Sequence, residues 1–177
     1  MLYIESERLI IRSLTPADIE AFNEMSTDDG FNVIFGDSSN YVEWLGDWVM
    51  ESIELDKVNN PLQEYLVYVI ADKVNKNIIG TIGCSYYEDI DKVGIAYFIR
   101  EKYRRRGYAS EASSAYARFL VDNYDVDELI ATVKVENDSS RRVIEKSGFT
   151  FLETRIYQDI HDDKPEKYNF FSFSRNN

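Results

Sequence analysis

Cysteine and histidine are almost absent from this sequence. Its 177 residues include one cysteine, Cys84, and one histidine, His161. A single cysteine excludes an internal disulfide framework. Cys84 and His161 together cannot form the usual ligand spacings of a metal site. No neighbouring motif supports a thiol nucleophile at Cys84, and a lone histidine in a polar loop is weak evidence for a catalytic base. We therefore predict neither a disulfide nor a bound metal.

Long apolar runs and linker-like stretches are missing as well. No run approaches the ~18 apolar residues that a membrane-spanning helix requires, and the start, MLYIESERL, lacks the apolar region of a signal peptide. Neither internal repeats nor a segment rich in proline, glycine and serine divides the chain. We expect one domain over residues 1–177, in the cytoplasm, without a membrane partner, as a monomer or homodimer.

Positive charge is scarce. Lysine and arginine number 20 against 32 acidic residues, which gives a formal net charge of −12. This balance argues against nucleic acid as a partner, because binding to phosphate backbones requires a basic surface. An acidic field attracts cationic substrates such as amines. The alternative is that the acidity serves only solubility.

Hydrophobic periodicity indicates alternating strands and helices. Predicted strands cover residues 9–14, 65–71, 78–87, 93–99, 129–135, 149–151 and 168–173. Predicted helices begin at Thr15-Pro16, at a cap on Ser38 or Ser39, at Gly107, and before Gly148. The three central strands favour an antiparallel meander. Together these elements predict a mixed α/β (α+β) fold with a single twisted, mostly antiparallel sheet and helices on both faces.

An arginine-rich turn stands before the helix that begins at Gly107. Arg104, Arg105 and Arg106 lie at a helix N-terminus, where the macrodipole disfavours exposed cations by ~0.3 to 1 kcal/mol each. A bound anion at the same place is favoured instead, since the first N–H groups of a helix are unpaired and can donate to it. Gly107 lets the main chain approach phosphate oxygens. The turn predicts a pyrophosphate site; the alternatives are a solvated basic patch and, less favoured, a nucleic-acid loop.

The spacing of this turn matches a known signature. Arg104-x-x-Gly107-x-Ala109 fits the [QR]-x-x-G-x-[GA] pattern of the GNAT N-acetyltransferase superfamily, whereas GxGxxG and GxxxxGK[ST] are absent. The run YFIREKYRRRGYASEA resembles the acetyl-CoA loop of its ribosomal-protein (RimJ/RimL-like) branch. The resemblance continues through ERLIIRSLTPADIEAF, IIGTIG and VKVENDSSRRVIEKSGF. It implies a GNAT-like fold and an acetyl-CoA-dependent N-acetyltransferase.

The resemblance also implies roles for individual residues. Main-chain N–H groups in the turn would hold the pyrophosphate, the end of the preceding strand would pair with the pantetheine arm, and an N-x-x-S element would place an asparagine on that arm. The implied cofactor contacts are Phe98, Ile99, Arg100, Arg105, Arg106, Gly107, Tyr108, Ala109, Ser110 and Asn137. Ser140 would lie near the thioester sulfur. Structurally, Asn137 and Ser139 could instead be only turn and N-cap residues.

Acetyl transfer needs a polarised carbonyl, a proton for the leaving thiolate and a neutral amine. By resemblance, a main-chain N–H at Phe98 or Ile99 polarises the carbonyl. Ser140 is the predicted catalytic proton donor, with a tyrosine such as Tyr97 or Tyr108 as the alternative.

The general base departs from the family pattern. Gly94 stands where the branch often carries glutamate, and Glu88, Asp89 and Asp91 on the preceding connector are possible substitutes. A water relay suffices more easily for an α-amine, with a pKa of ~8, than for a lysine or polyamine nitrogen, with a pKa of ~10. We expect the acceptor to be the N-terminal amine of a protein or peptide. The alternatives are a small cationic amine (polyamine or aminoglycoside) and a non-catalytic acyl-CoA-binding module.

Overall fold

A computed structural model describes residues 1–35, 41–160 and 162–175. The predicted cap at Ser38 or Ser39, and His161, fall outside these residues. The strands are β1 (Tyr3–Glu5), β2 (Leu9–Ser13), β3 (Leu66–Asp72), β4 (Ile78–Tyr87), β5 (Lys92–Ile99), β6 (Glu128–Lys134), β7 (Thr150–Tyr157) and β8 (Glu166–Ser174). The helices are α1 (Ile19–Met25), α2 (Phe31–Phe35), α3 (Tyr41–Val58), α4 (Tyr108–Asn123) and α5 (Asp138–Lys146).

All eight of these strands form one sheet in the order β1-β2-β3-β4-β5-β6-β8-β7. Neighbouring strands are antiparallel except β5 and β6, which are parallel and connected through α4. A helical crossover is what a parallel pair requires. The predicted central meander, the strand–helix–strand unit and the closing strand pair are therefore confirmed.

Helices cover both faces of the sheet, as predicted. Strand β3 shows why, because it is buried on both sides and its residues alternate between two cores. Tyr68 packs edge-on against Tyr116 of α4, with ring centroids 5.6 Å apart. Val69 belongs instead to the core that α1 and α3 build with Phe22 and Leu45. The sheet thus has α4 and α5 on one face and α1 to α3 on the other.

Two short elements differ from the sequence prediction. Strand β1 has only three residues, too few to show a period, and is held by its pairing with β2. Helix α2 lies where a loop was predicted after Gly30. Its position depends on tertiary contacts, because Phe31 is buried with its ring centroid 5.4 Å from that of Phe98. Local propensity does not encode either element.

A buried ion pair fixes the start of the first helical segment. The carboxylate of Asp18 accepts two hydrogen bonds from Arg12, at 2.8 and 2.7 Å, and one from the main-chain N–H of Thr15 at 2.7 Å. Burial alone would raise the pKa of Asp18, but the hydrogen bonds from Arg12 and Thr15 outweigh it and lower that pKa below its ordinary value.

We predict that Asp18→Asn lowers the free energy of unfolding by about 2 kcal/mol at pH 7, because it leaves charged and main-chain donors unpaired. The lowered folded-state pKa means that this stabilisation is present above about pH 4 and is lost as the pH falls through the folded value. Urea denaturation of both proteins between pH 7 and pH 3 measures the difference. Glu54→Gln, which removes an exposed pair with Lys57, is the control and should change stability by less than about 0.5 kcal/mol. An equal loss at both positions would contradict the assignment.

Candidate active site

The two central strands separate soon after they meet. Strand β5 pairs with β4 along its whole length, from Lys92 to Ile99. On its other side it pairs with β6 only at Val93 and Gly94. Beyond Gly94, this edge of β5 has no strand partner among the described residues, and a gap opens between the strands. Main-chain polar groups facing that gap are available to a ligand.

The ladder with β4 determines which residues face the gap. The N–H of Arg100 donates to the carbonyl of Ile79 at 2.9 Å, and main-chain direction alternates along an antiparallel pair. The main chains of Tyr97 and Ile99 therefore face the gap, while those of Phe98 and Arg100 face β4. Of the three implied pantetheine contacts, the structure brings Ile99 to the gap. The side chain of Phe98 lies in the core and that of Arg100 pairs with Glu24 at 2.9 Å.

A cleft of about 1270 Å³ occupies this gap. One wall is formed by residues 95–97 of β5 and the other by residues 131–134 of β6, and α5 contributes Asn137, Ser140 and Ile144. The cleft extends past Glu88 and Asp89 to the segment after β7. It joins the predicted catalytic serine to a large open space suited to an acceptor.

Ser140 and Asn137 face this cleft from the start of α5. Asn137 is the N-cap of the helix, and its Oδ1 accepts the N–H of Ser140 at 3.0 Å and the hydroxyl of Ser139 at 2.9 Å. The capping interpretation is therefore correct for Asn137, and it leaves the amide nitrogen free of acceptors within the described chain. Burial raises the pKa of Tyr97, and the nearby Ser140 hydroxyl offsets part of that rise. Tyr97 and Ser140 both line the cleft.

The arginine turn has the shape of an anion-binding nest. Arg105 and Gly107 both adopt left-handed backbone conformations, with φ of 61° and 80°. An arginine there is strained, and such strain is concentrated at functional sites. The N–H groups of residues 107–110 meet no acceptor within the described part of the chain, and Glu111 donates the first helical bond, to Gly107 at 3.1 Å. Four consecutive free donors at a helix N-terminus suit a pyrophosphate.

Three side chains hold this turn in place, and sequence analysis did not single out two of them, Arg8 and Glu111. Arg104 spans from the carbonyl of Ile99, at 2.9 Å, to the main chain of Asp29, so the signature arginine is structural here. Arg8 donates to the carbonyl of Arg106 at 2.9 Å and to Glu111 at 2.7 Å. Burial would raise the pKa of Glu111, but hydrogen bonds from Ser6 and Arg8 lower it overall.

The exposed arginines of the turn differ from these scaffold residues. Arg105 and Arg106 are exposed, and neither has a carboxylate within 4.0 Å among residues 1–35, 41–160 and 162–175. In a chain of net charge −12, two unpaired guanidinium groups beside free helix N–H groups concentrate positive potential at one place. This arrangement is what a phosphate ligand requires.

The position of the missing base is filled by a tyrosine ring. A Cβ built on Gly94 would lie 1.8 Å from Cε2 of Tyr87, so no side chain fits there. Burial raises the pKa of Tyr87 to about 12, so the phenol stays neutral. Of the substitute bases, Glu88 and Asp89 line the cleft, whereas Asp91 binds the hydroxyl of Tyr86 at a separate cleft of about 340 Å³.

Other chemistries find little support in the described residues. Cys84 is buried, its hydrogen bond comes from Tyr116, and burial raises its pKa to about 12, which disfavours a thiolate nucleophile. No group of three or more histidine, cysteine or acidic side chains in the described ranges could hold a metal ion. No helix there is both long and apolar enough to cross a membrane.

Comparisons with known proteins agree with this geometry. The family model described as an acetyltransferase (GNAT) domain matches residues 8–150. The uncharacterized N-acetyltransferase YoaA of Bacillus subtilis (strain 168) is 26% identical over 156 residues, which cover 82% of this chain and 81% of that protein.

Solved structures show the same fold. An acetyltransferase (GNAT family) from Bacillus anthracis superposes with a TM-score of 0.81 at 22% identity, covering 99% of this chain and 100% of that one. RimL, a ribosomal L7/L12 alpha-N-protein acetyltransferase in complex with coenzyme A, superposes with a TM-score of 0.78 at 16% identity, covering 98% of both chains. The chain therefore belongs to the GNAT acetyltransferase family and is an acetyl-CoA-dependent N-acetyltransferase.

Proposed function

We propose that this enzyme acetylates the N-terminal α-amine of a protein or peptide, as expected of the ribosomal-protein branch. The observation that carries the proposal is the Tyr87 ring packed over Gly94, which leaves β5 without a carboxylate beside the gap. At pH 7 roughly a tenth of an α-amine is already neutral, against less than about a thousandth of a lysine or polyamine amine. A site with no strong base next to the thioester therefore suits an α-amine better than a lysine or polyamine amine.

The residues of this chain fit acetyl-CoA in two segments. The N–H groups of residues 105–110 would hold the pyrophosphate, with Arg105 and Arg106 adding charge. The Ile99 N–H and the main chain of Tyr97, which face the gap, would pair with the pantetheine arm as an added strand, while the Ile99 carbonyl accepts from Arg104. The free amide nitrogen of Asn137 would bind the arm from the other wall.

With acetyl-CoA placed in this way, a chemical group is available for each step of the transfer. The neutral amine attacks the thioester carbonyl, and a gap-facing N–H of β5 stabilises the developing oxyanion. As the carbon–sulfur bond breaks, the Ser140 hydroxyl protonates the departing thiolate. Tyr97 lies on the facing wall, near enough to Ser140 to affect its own pKa, and would return that proton. The proton lost by the amine leaves through water or through Glu88 and Asp89 on the cleft wall.

The acceptor end of the cleft favours a second candidate, a small cationic amine. Six carboxylates line the cleft: Glu88, Asp89, Glu136, Asp159, Asp162 and Asp163. The one lysine on the wall, Lys134, is neutralised by Asp162 at 2.6 Å. A polyamine or aminoglycoside would be attracted by this field. The structural similarity to RimL, a ribosomal L7/L12 alpha-N-protein acetyltransferase, supports the first candidate.

We predict that free-thiol release from acetyl-CoA is at least about tenfold faster with unblocked peptides than with polyamines or aminoglycosides at pH 7. The same peptides with an acetylated N-terminus are the matched controls and should be inert. Preference for the polyamine or aminoglycoside would favour the second candidate. Tight acetyl-CoA binding without thiol release for any amine would instead indicate a non-catalytic acyl-CoA-binding module.

We also predict that Ser140→Ala lowers kcat by roughly 10²-fold while changing the KM for acetyl-CoA by less than about twofold, because it removes only the proton donor. Ser139→Ala is the matched control, since its hydroxyl bonds only the Asn137 cap and is exposed. Steady-state kinetics with the preferred amine measures both variants. Equal losses for the two serines would contradict the role of the Ser140 hydroxyl as proton donor.

A further inference from the structure

The sheet ends in a long, uncovered strand. Every residue of β7 from Thr150 to Ile156 is exposed, and β7 pairs only with β8 among the described elements. Three of its apolar side chains are largely in solvent: Phe151 is 52% exposed, Leu152 49% and Ile156 62%. An edge of this kind presents a row of unpaired main-chain groups to other strands.

The opposite edge of the sheet is protected in a way that β7 is not. Strand β1 is three residues long, whereas β7 has eight. Strand β7 contains neither proline nor lysine, the residues that most often guard edges. Its two charges, Glu153 and Arg155, cancel, although the whole chain carries −12. Two copies of the protein would therefore meet at this edge without the repulsion that acts elsewhere on their surfaces.

We infer that β7 pairs antiparallel with β7 of a second copy of this chain, about a two-fold axis at Thr154. In that register Glu153 of each copy faces Arg155 of the other, because both lie one residue from the axis. The bulge of β7 lies at Leu152, outside the stretch from Glu153 to Arg155. The sequence of the strand is thus complementary to itself in charge about this axis, as an isologous interface requires.

The contacts within one copy prepare this pairing. The Arg155 guanidinium lies 4.0 Å from the ring centroid of Phe170 and 3.6 Å from the Glu153 carboxylate. Its orientation is therefore set before a partner arrives. The hydroxyl of Thr154 donates to Asn169 at 2.7 Å, so the small residue at the axis needs no polar partner from the second copy.

Analytical ultracentrifugation of the full chain, over a range of concentrations, tests the inference. The wild type is expected to sediment as a dimer of its 20.7 kDa chain. E153R and R155E should each weaken dimerisation by at least about tenfold, since like charges then face each other. The double variant E153R/R155E should restore it, because the swapped charges are complementary again.

Lys57→Glu, an equal charge reversal on exposed α3, is the control and should leave the dimer unchanged. Circular dichroism and acetyl-CoA binding confirm that each variant is folded. A wild type that stays monomeric at all concentrations would overturn the inference. So would a dimer that survives both single reversals, or one that the double variant does not restore.

Discussion

The proposed cofactor site depends on the point where β5 and β6 part. Two residue pairs, at Val93 and Gly94, hold the halves of the sheet together, and beyond them the strands no longer share hydrogen bonds. A continued ladder would have satisfied the main chain at Tyr97 and Ile99 and closed the cleft. Because it stops, one strand edge in the middle of the protein remains available for an extended ligand, while β4 keeps β5 rigid from the other side.

The turn before α4 supplies the second half of the site by a different physical means. The strand ends next to a helix N-terminus whose amides are unpaired, and the chain reaches it through left-handed conformations at Arg105 and Gly107. The cost of this conformation is offset by the scaffold around it, in which Arg104 and Arg8 donate to carbonyls on each side. Because the chain is acidic overall, this turn forms a local region of positive potential on a negatively charged protein. The acidic composition also suits an amine acceptor at the far end of the cleft.

The sequence predicted what depends on local pattern and on spacing. The meander and α4 were predicted by periodicity, and the arginine turn by its position before a helix. The parting of β5 and β6 was not predicted, because it is a property of main-chain pairing that side chains do not reveal. The contact of Arg8 with Glu111 joins residues that are 103 positions apart. The sequence shows that Gly94 departs from the catalytic pattern of the family. It does not show that the ring of Tyr87, which lies diagonally across the neighbouring strand, fills the space beside Gly94.

The most direct test of the account is the affinity of a Gly107→Val variant for acetyl-CoA, measured by isothermal titration calorimetry. Valine is strained at a φ of 80°, and its Cβ would lie 3.4 Å from the Arg8 guanidinium that holds the turn. Gly46→Val is the matched control, because a Cβ on Gly46 meets nothing within 4 Å. The account predicts that Gly107→Val binds at least about 100-fold more weakly, a loss of about 2.7 kcal/mol, while Gly46→Val binds like the wild type. Unchanged affinity in a folded Gly107→Val protein would contradict it.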